Sequence, residues 1–114
     1  MPRDYLVYLE DILNAIQKIE GYVSGMSIDD LMEDQQARDA VIFNLIVIGE
    51  AVKSLSTEVK GRQGSVPWSA IAQFRDKITH QYFNINIHIV WDVVQNQLPR
   101  LKEAVEALIG SEGQ

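Results

Sequence analysis

Cysteine is absent from the chain, which excludes disulfides, thiolate catalysis and the common cysteine-built zinc sites. Histidine is scarce, with His80 and His88 the only two. Neither has a carboxylate at metal-ligand spacing and no H-E-x-x-H pattern occurs, so no metal site is expected. Gly61 and Gly64 lack the Lys-Ser/Thr that completes a phosphate loop, and no serine sits in a G-x-S-x-G context. P-loop nucleotide chemistry and serine-based hydrolysis are therefore unsupported. Positive charge is in the minority, 10 Lys and Arg against 16 Asp and Glu, for a net charge of −6. That argues against a free-standing basic nucleic-acid binder, but leaves room for an enzyme that meets RNA through a small positive site. Long apolar runs are also missing. The most apolar stretch, Ala40 to Gly49, contains Asn44 and falls short of the roughly 20 residues of a bilayer span, so it reads as buried core and no membrane partner is expected. Asp4, Glu10 and Asp11 interrupt the start of the chain, which predicts no secretory signal and a cytoplasmic location.

What is present is helical periodicity. The 114 residues are 46% hydrophobic, the size and apolar share of one domain covering residues 1–114, without repeats or linkers. Tyr5, Leu6, Leu9, Ile12, Leu13, Ile16, Ile19 and Val23 form one stripe, predicting a helix from about Arg3 to Ser24 with Gly25 as its stop. Ser27 and Asp30 resemble a capping pair opening a short extra helix. A long helix is predicted from about Gln35 to Thr57. Its middle, Val41 to Ile48, is apolar on nearly every side, more than a chain this short can cover, so a second copy is the expected cover. Glu58 to Val66 is predicted as an exposed loop. Ser65 and Pro67 then open a third helix, with proline in its first turn. Asn84 or Asn86 caps a fourth, which carries Pro99 and should kink there. Ile85 to Ile89 alternates like a strand but is too short and isolated to form a sheet. The expected fold class is all-α, an up-and-down bundle of four main helices plus the short extra one.

Chemistry concentrates in Arg75-Asp-Lys-Ile-Thr-His80-Gln-Tyr82. Imidazole titrates near neutrality and can pass protons to and from reacting oxygens. Arginine stays charged and grips phosphate with a planar fork. The two suit phosphodiester cleavage without a metal. On an ideal helix, however, Arg75 and His80 lie about 140° apart, whereas Tyr82 lies about 20° from Arg75. Joint action requires either a distortion near His80 or a residue from another subunit. Plainer roles stand beside this one. His80 can simply stabilise a helix C-terminus, Arg75 and Asp76 can be a surface pair, Trp68 and Trp91 can be core anchors, and Tyr82 and Phe83 can be core aromatics anchoring the turn, the preferred reading for Phe83. His88 reads as a first-turn helix residue without a catalytic role. Glu50, among Ile46, Ile48 and Val52, needs a partner or a wet interface. Asn44 shares that apolar stretch, and a subunit junction and a satisfied structural network account for the pair equally well.

Arg75-x4-His80-x-Tyr82 resembles the R-x4-6-H-x-Y motif of the HepT-like HEPN proteins, the toxins of HEPN/MNT toxin–antitoxin pairs. Pro67-Trp-Ser-Ala-Ile-Ala-Gln-Phe-Arg75 precedes the motif as in that family, and Tyr82-Phe83, Ile89-Val-Trp91 and Leu98-Pro99 follow it. Arg38 and Asn44-Leu-Ile-Val-Ile-Gly-Glu50-Ala are similar to its second-helix segment, so the likeness covers nearly the whole chain. The residue after the arginine is polar in this superfamily, commonly asparagine; Asp76 keeps the polarity but not the residue. The resemblance implies a HEPN-like helical bundle that forms a homodimer, with the motifs of two subunits facing one cleft. It implies a metal-independent endoribonuclease with no cofactor and RNA as substrate. Arg75 and His80 would be catalytic, with Asp76, Lys77 and Arg38 in support. It further implies a nucleotidyltransferase antitoxin of the MNT type, partner in a larger complex, that silences the toxin by AMPylation of Tyr82. Some HEPN domains are not nucleases. The alternative is therefore a non-catalytic helical dimer that binds and regulates a nucleotidyltransferase. Small-molecule nucleotide binding in the same cleft is a third possibility, without a phosphate loop to support it.

Overall fold

Short polar side chains mark most of the helix starts in this chain, and the computed structural model, which describes residues 4–81 and 84–112, shows them in that role. Helix α1 spans Tyr5–Val23, with the Asp4 carboxylate accepting from the Leu6 amide at 3.0 Å. It ends where Gly25 adopts φ +76°, a conformation that glycine reaches without a steric penalty. Helix α2, Ile28–Glu33, opens on the expected capping box: the Asp30 amide donates to Ser27 Oγ and the Ser27 amide to Asp30 Oδ2. Asp34 caps α3, Gln35–Ser54.

The long helix stops earlier than the sequence predicts. Leu55 turns extended, and Ser56 then caps a short helix α4, Thr57–Gly61, where an open loop is predicted. Leu55 and Val59 are both buried, so two apolar positions four residues apart draw this turn onto the core despite its flanking glycine. Helix α5 is Trp68–His80. Pro67 takes the cap position rather than the first turn. The Trp68 indole N–H donates to the carbonyls of Lys60 and Gln63, tying the end of α4 to the start of α5.

Asn86, not Asn84, caps α6, Ile87–Asp92, by accepting from the His88 amide at 2.8 Å. A π-helical turn, Val93–Gln97, leads into α7, Leu98–Glu112. The kink predicted at Pro99 takes this form. Proline donates no N–H to the carbonyl four residues back, and its ring crowds that carbonyl, which a wider turn relieves.

The result is an all-α bundle without a strand among the described residues. Helix α3 packs against α1, α2 and α5, and α1 also packs against α7. Leu9, Ile12, Ile16 and Ile19 of α1 are fully enclosed, together with Val41, Ile48 and Val52 of α3. Trp68 is buried, whereas Trp91 is half-buried against the core. The apolar middle of α3 is only partly covered: Ile46 and Val47 are half-buried and Phe43 is 65% exposed. Asn44 is buried and its amide donates to the Ala40 carbonyl at 2.8 Å, so its polarity is met within its own helix. Among the described residues, no helix is long and apolar enough to cross a membrane.

Candidate functional site

Four of the candidate residues sit on the second half of α5, which stays regular to its end: the Gln81 amide donates to the Lys77 carbonyl at 2.9 Å. The distortion that could bring Arg75 and His80 together within one chain is therefore not there. Five regular helical residues set them about 140° apart. His80 is exposed at the C-terminal end of α5, where a cation is favoured by the helix dipole.

Arg75 turns toward α3. Its Nη2 pairs with Glu50 Oε1, and its Nη1 donates to Asp76 Oδ1 at 2.8 Å. Lys53, one turn after Glu50, donates to the same Asp76 oxygen at 3.1 Å. Glu50, Arg75, Asp76 and Lys53 thus form a chain of alternating charge that crosses between the two helices twice. The Arg75 side chain is only 23% exposed, and its Nε is buried without a hydrogen-bond partner among the described residues. The stem lies directly over Gly49, where an added Cβ would collide with the Cβ and Cγ of Arg75. The hydrogen bond from Arg75, and after it that from Lys53, holds the Asp76 carboxyl below its ordinary value of 3.8.

The remaining candidates lie elsewhere. Lys77 is exposed and, two residues on, faces away from Arg75. It lines a groove of about 270 Å³ with Phe74, Gln81 and Asn86. Arg38 donates to the carbonyls of Leu31 and Met32, closing the C-terminal end of α2. It is twelve residues from Glu50 along α3, roughly 18 Å at helical rise, so the structure does not bring it to Arg75. Tyr82 and Phe83 lie outside the described residues. His88 is exposed in the first turn of α6. Among the described residues, no group of three or more His, Asp or Glu side chains could hold a metal ion. A groove of about 730 Å³, lined by Gln63, Pro67, Gln97 and Arg100 among others, contains neither Arg75 nor His80.

The sequence shows that Glu50 needs a partner, but it does not identify Arg75 as that partner. Lys53 passes unnoticed. The usable signal is the pairing of spacings: Glu50 and Lys53 are three apart on one helix face, and Arg75 and Asp76 are adjacent with the opposite order of charge.

The fold and the Arg75–His80 helix define an all-α protein of the HEPN type. The family model described as Ribonuclease HepT-like matches residues 12–108, and the chain belongs to that family of RNA-cleaving enzymes. It is 40% identical to "Putative RNase MJ0127" of Methanocaldococcus jannaschii over all of this chain and 96% of that protein. It is 36% identical to "Probable ribonuclease HepT" of Thermococcus cleftensis, over 95% of this chain and 98% of the relative. "Putative RNase TTE0752" of Caldanaerobacter subterraneus is also 36% identical, over 92% and 94% of the two chains. No solved structure matches the chain.

Proposed function

We propose that the chain is a metal-independent endoribonuclease that cuts RNA in a cleft shared by two copies, and that it is the toxin of a HEPN/MNT pair. The observation that carries this reading is the regular course of α5 through His80. With Arg75 and His80 on divergent sides of one helix, one chain does not offer both to the same phosphate. Two copies with their α5 helices facing do. The exposed Phe43 beside half-buried Ile46 and Val47 supplies an apolar face on α3 for the second copy.

In the proposed reaction the RNA 2′-hydroxyl attacks the adjacent phosphorus and gives up its proton as the P–O5′ bond breaks. The 5′-oxygen leaves as a hydroxyl after taking up a proton, and a 2′,3′-cyclic phosphate remains on the other strand end. His80 serves as the general base or acid. Arg75 neutralises charge on the pentacoordinate phosphate. Each role is worth an order of magnitude or more, with placed acid–base groups contributing roughly 10²–10⁴-fold. Lys77 and Arg38 act on RNA only at a distance from this centre. A nucleotidyltransferase antitoxin transfers AMP from ATP to the Tyr82 hydroxyl. The Oη–P bond forms, the α–β phosphoanhydride bond breaks, pyrophosphate leaves and the phenol gives up its proton. The added phosphodiester and base obstruct the RNA path and compete for Arg75.

The second reading is a non-catalytic dimer that regulates the transferase. One observation favours it: both Nη atoms of Arg75 already meet carboxylates, and the four charges of the cluster cancel. An RNA cleavage assay in EDTA on wild type and His80→Ala separates the two. Activity that vanishes in the variant supports the enzyme. Wild type without activity supports the adaptor.

A further inference from the structure

We propose that Glu50 is a positioning residue: it holds Arg75 from the neighbouring helix and, with the Asp76–Lys53 pair, fixes the direction from which the guanidinium meets phosphate. The proposal deepens the reading above, since it takes Arg75 as the phosphate-facing cation.

Three observations converge on Arg75. Its stem has a built approach, since only a residue without Cβ at position 49 lets the stem lie over α3. Its two Nη atoms are held from two helices, by Glu50 on α3 and by Asp76 on α5. Asp76 is itself held by Lys53, one turn after Glu50 on α3. An arginine at rest on a surface samples many rotamers. This one is fixed along the stem and at both Nη atoms.

Stability alone is a poor account of the arrangement. Glu50, Asp76 and Lys53 are each about half exposed, and ion pairs between exposed groups contribute little to folding. Orientation is the better account. A guanidinium carries five N–H donors. Nε–H is buried, Nη1 gives one N–H to Asp76 and Nη2 is ion-paired with Glu50, so two carboxylates do not use up the four N–H groups of the two Nη atoms and donors remain for an incoming phosphate. Carboxylates on two helices hold the guanidinium while these donors remain for phosphate. Preorganised charge of this kind acts on the reaction rate, because the group need not reorganise as charge develops.

The test compares wild type, Glu50→Gln, Glu50→Asp and Lys53→Ala with two readouts. The first is the rate at which phenylglyoxal, a reagent for free guanidinium groups, modifies Arg75, mapped by peptide mass spectrometry. It does not depend on activity. Glu50→Gln should speed modification of Arg75 several-fold and leave the other arginines unchanged, with Lys53→Ala intermediate. The second is steady-state RNA cleavage. Glu50→Gln should lower kcat by roughly 10- to 10²-fold, the scale of a misplaced catalytic group, with KM within about threefold of wild type and partial rescue by Glu50→Asp. An unchanged modification rate at Arg75 overturns the proposal, whatever the activity. A faster rate with kcat unchanged in an active enzyme overturns it equally, because Glu50 then holds Arg75 without serving the reaction. If wild type does not cleave RNA, the enzymatic reading fails on its own, and the phenylglyoxal rates still decide whether Glu50 holds Arg75.

Discussion

The stem of Arg75 crosses α3 at Gly49, so closely that a methyl group at position 49 would collide with the Cβ and Cγ of Arg75. Gly49→Ala therefore sets two effects against each other. Alanine in mid-helix gains about 1 kcal/mol over glycine, and overpacking at the contact costs about 1–3 kcal/mol. The melting temperature should fall by up to about 10 °C, while RNA cleavage drops by roughly tenfold or more as Arg75 is pushed off α3. Thermal melting and initial cleavage rates check both. A variant that gains stability and keeps full activity would show that Arg75 works without this contact.

His80 is exposed, so His80→Ala should change stability by no more than about 0.5 kcal/mol. Its cleavage rate should fall by roughly 10²–10⁴-fold. His88→Ala, in the first turn of α6, should cleave as wild type does. Both variants belong in one assay with EDTA present. Comparable rates in wild type and His80→Ala would remove the histidine from the mechanism.

Phe43 is 65% exposed in the apolar middle of α3. Burying the exposed part of the ring in a symmetric dimer involves both copies, which amounts to roughly 2–4 kcal/mol of lost association when the ring is removed. Phe43→Asp should convert a dimer to a monomer at micromolar concentration in sedimentation velocity runs, and cleavage should be lost with it. Wild type sedimenting as a monomer would defeat both the interface and the shared cleft.

Tyr82 is the expected acceptor of AMP. Incubation with an MNT-type nucleotidyltransferase and ATP should add AMP mass to the Tyr82 peptide, with loss of cleavage, and Tyr82→Phe should stay unmodified and active. Full silencing of Tyr82→Phe without added mass would mean that inhibition comes from binding alone.

Asp76 gives a pH signature. Its carboxyl lies below 3.8 in the folded chain because the Arg75 and Lys53 hydrogen bonds favour the anion. A depressed carboxylate contributes stability that is fully present above its unfolded value and is lost as pH falls through its folded value. The denaturant midpoint of Asp76→Asn should therefore trail wild type by a constant amount from about pH 8 to about pH 5. The gap should narrow below about 3.8 and close at more acid pH. A gap that persists in strong acid would show that something other than the carboxylate charge sets it.

Much of the fold is legible along the chain because its causes are local. Asp4, Ser27, Asp34 and Asn86 cap helices through amides two or three residues away. The stripe from Leu9 to Ile19 faces the core as its spacing requires. The misread stretch is one where tertiary burial outweighs local chemistry: Leu55 and Val59 fold a turn from what the glycines mark as loop.

The candidate site divides in the same way. The sequence by itself determined the all-α class, the helix that carries Arg75 and His80, their angular separation, and the oddity of Glu50 in an apolar run, because periodicity and residue chemistry fix these without reference to any other segment. Only the tertiary structure decided that Glu50 answers Arg75, that Lys53 answers Asp76, that Gly49 makes room for the arginine stem, and that Arg38 serves the end of α2 instead of this cluster. Those pairings join residues on different elements, and which face of α3 meets which face of α5 is set by how the whole apolar core closes, a cooperative outcome that no single stretch of sequence specifies.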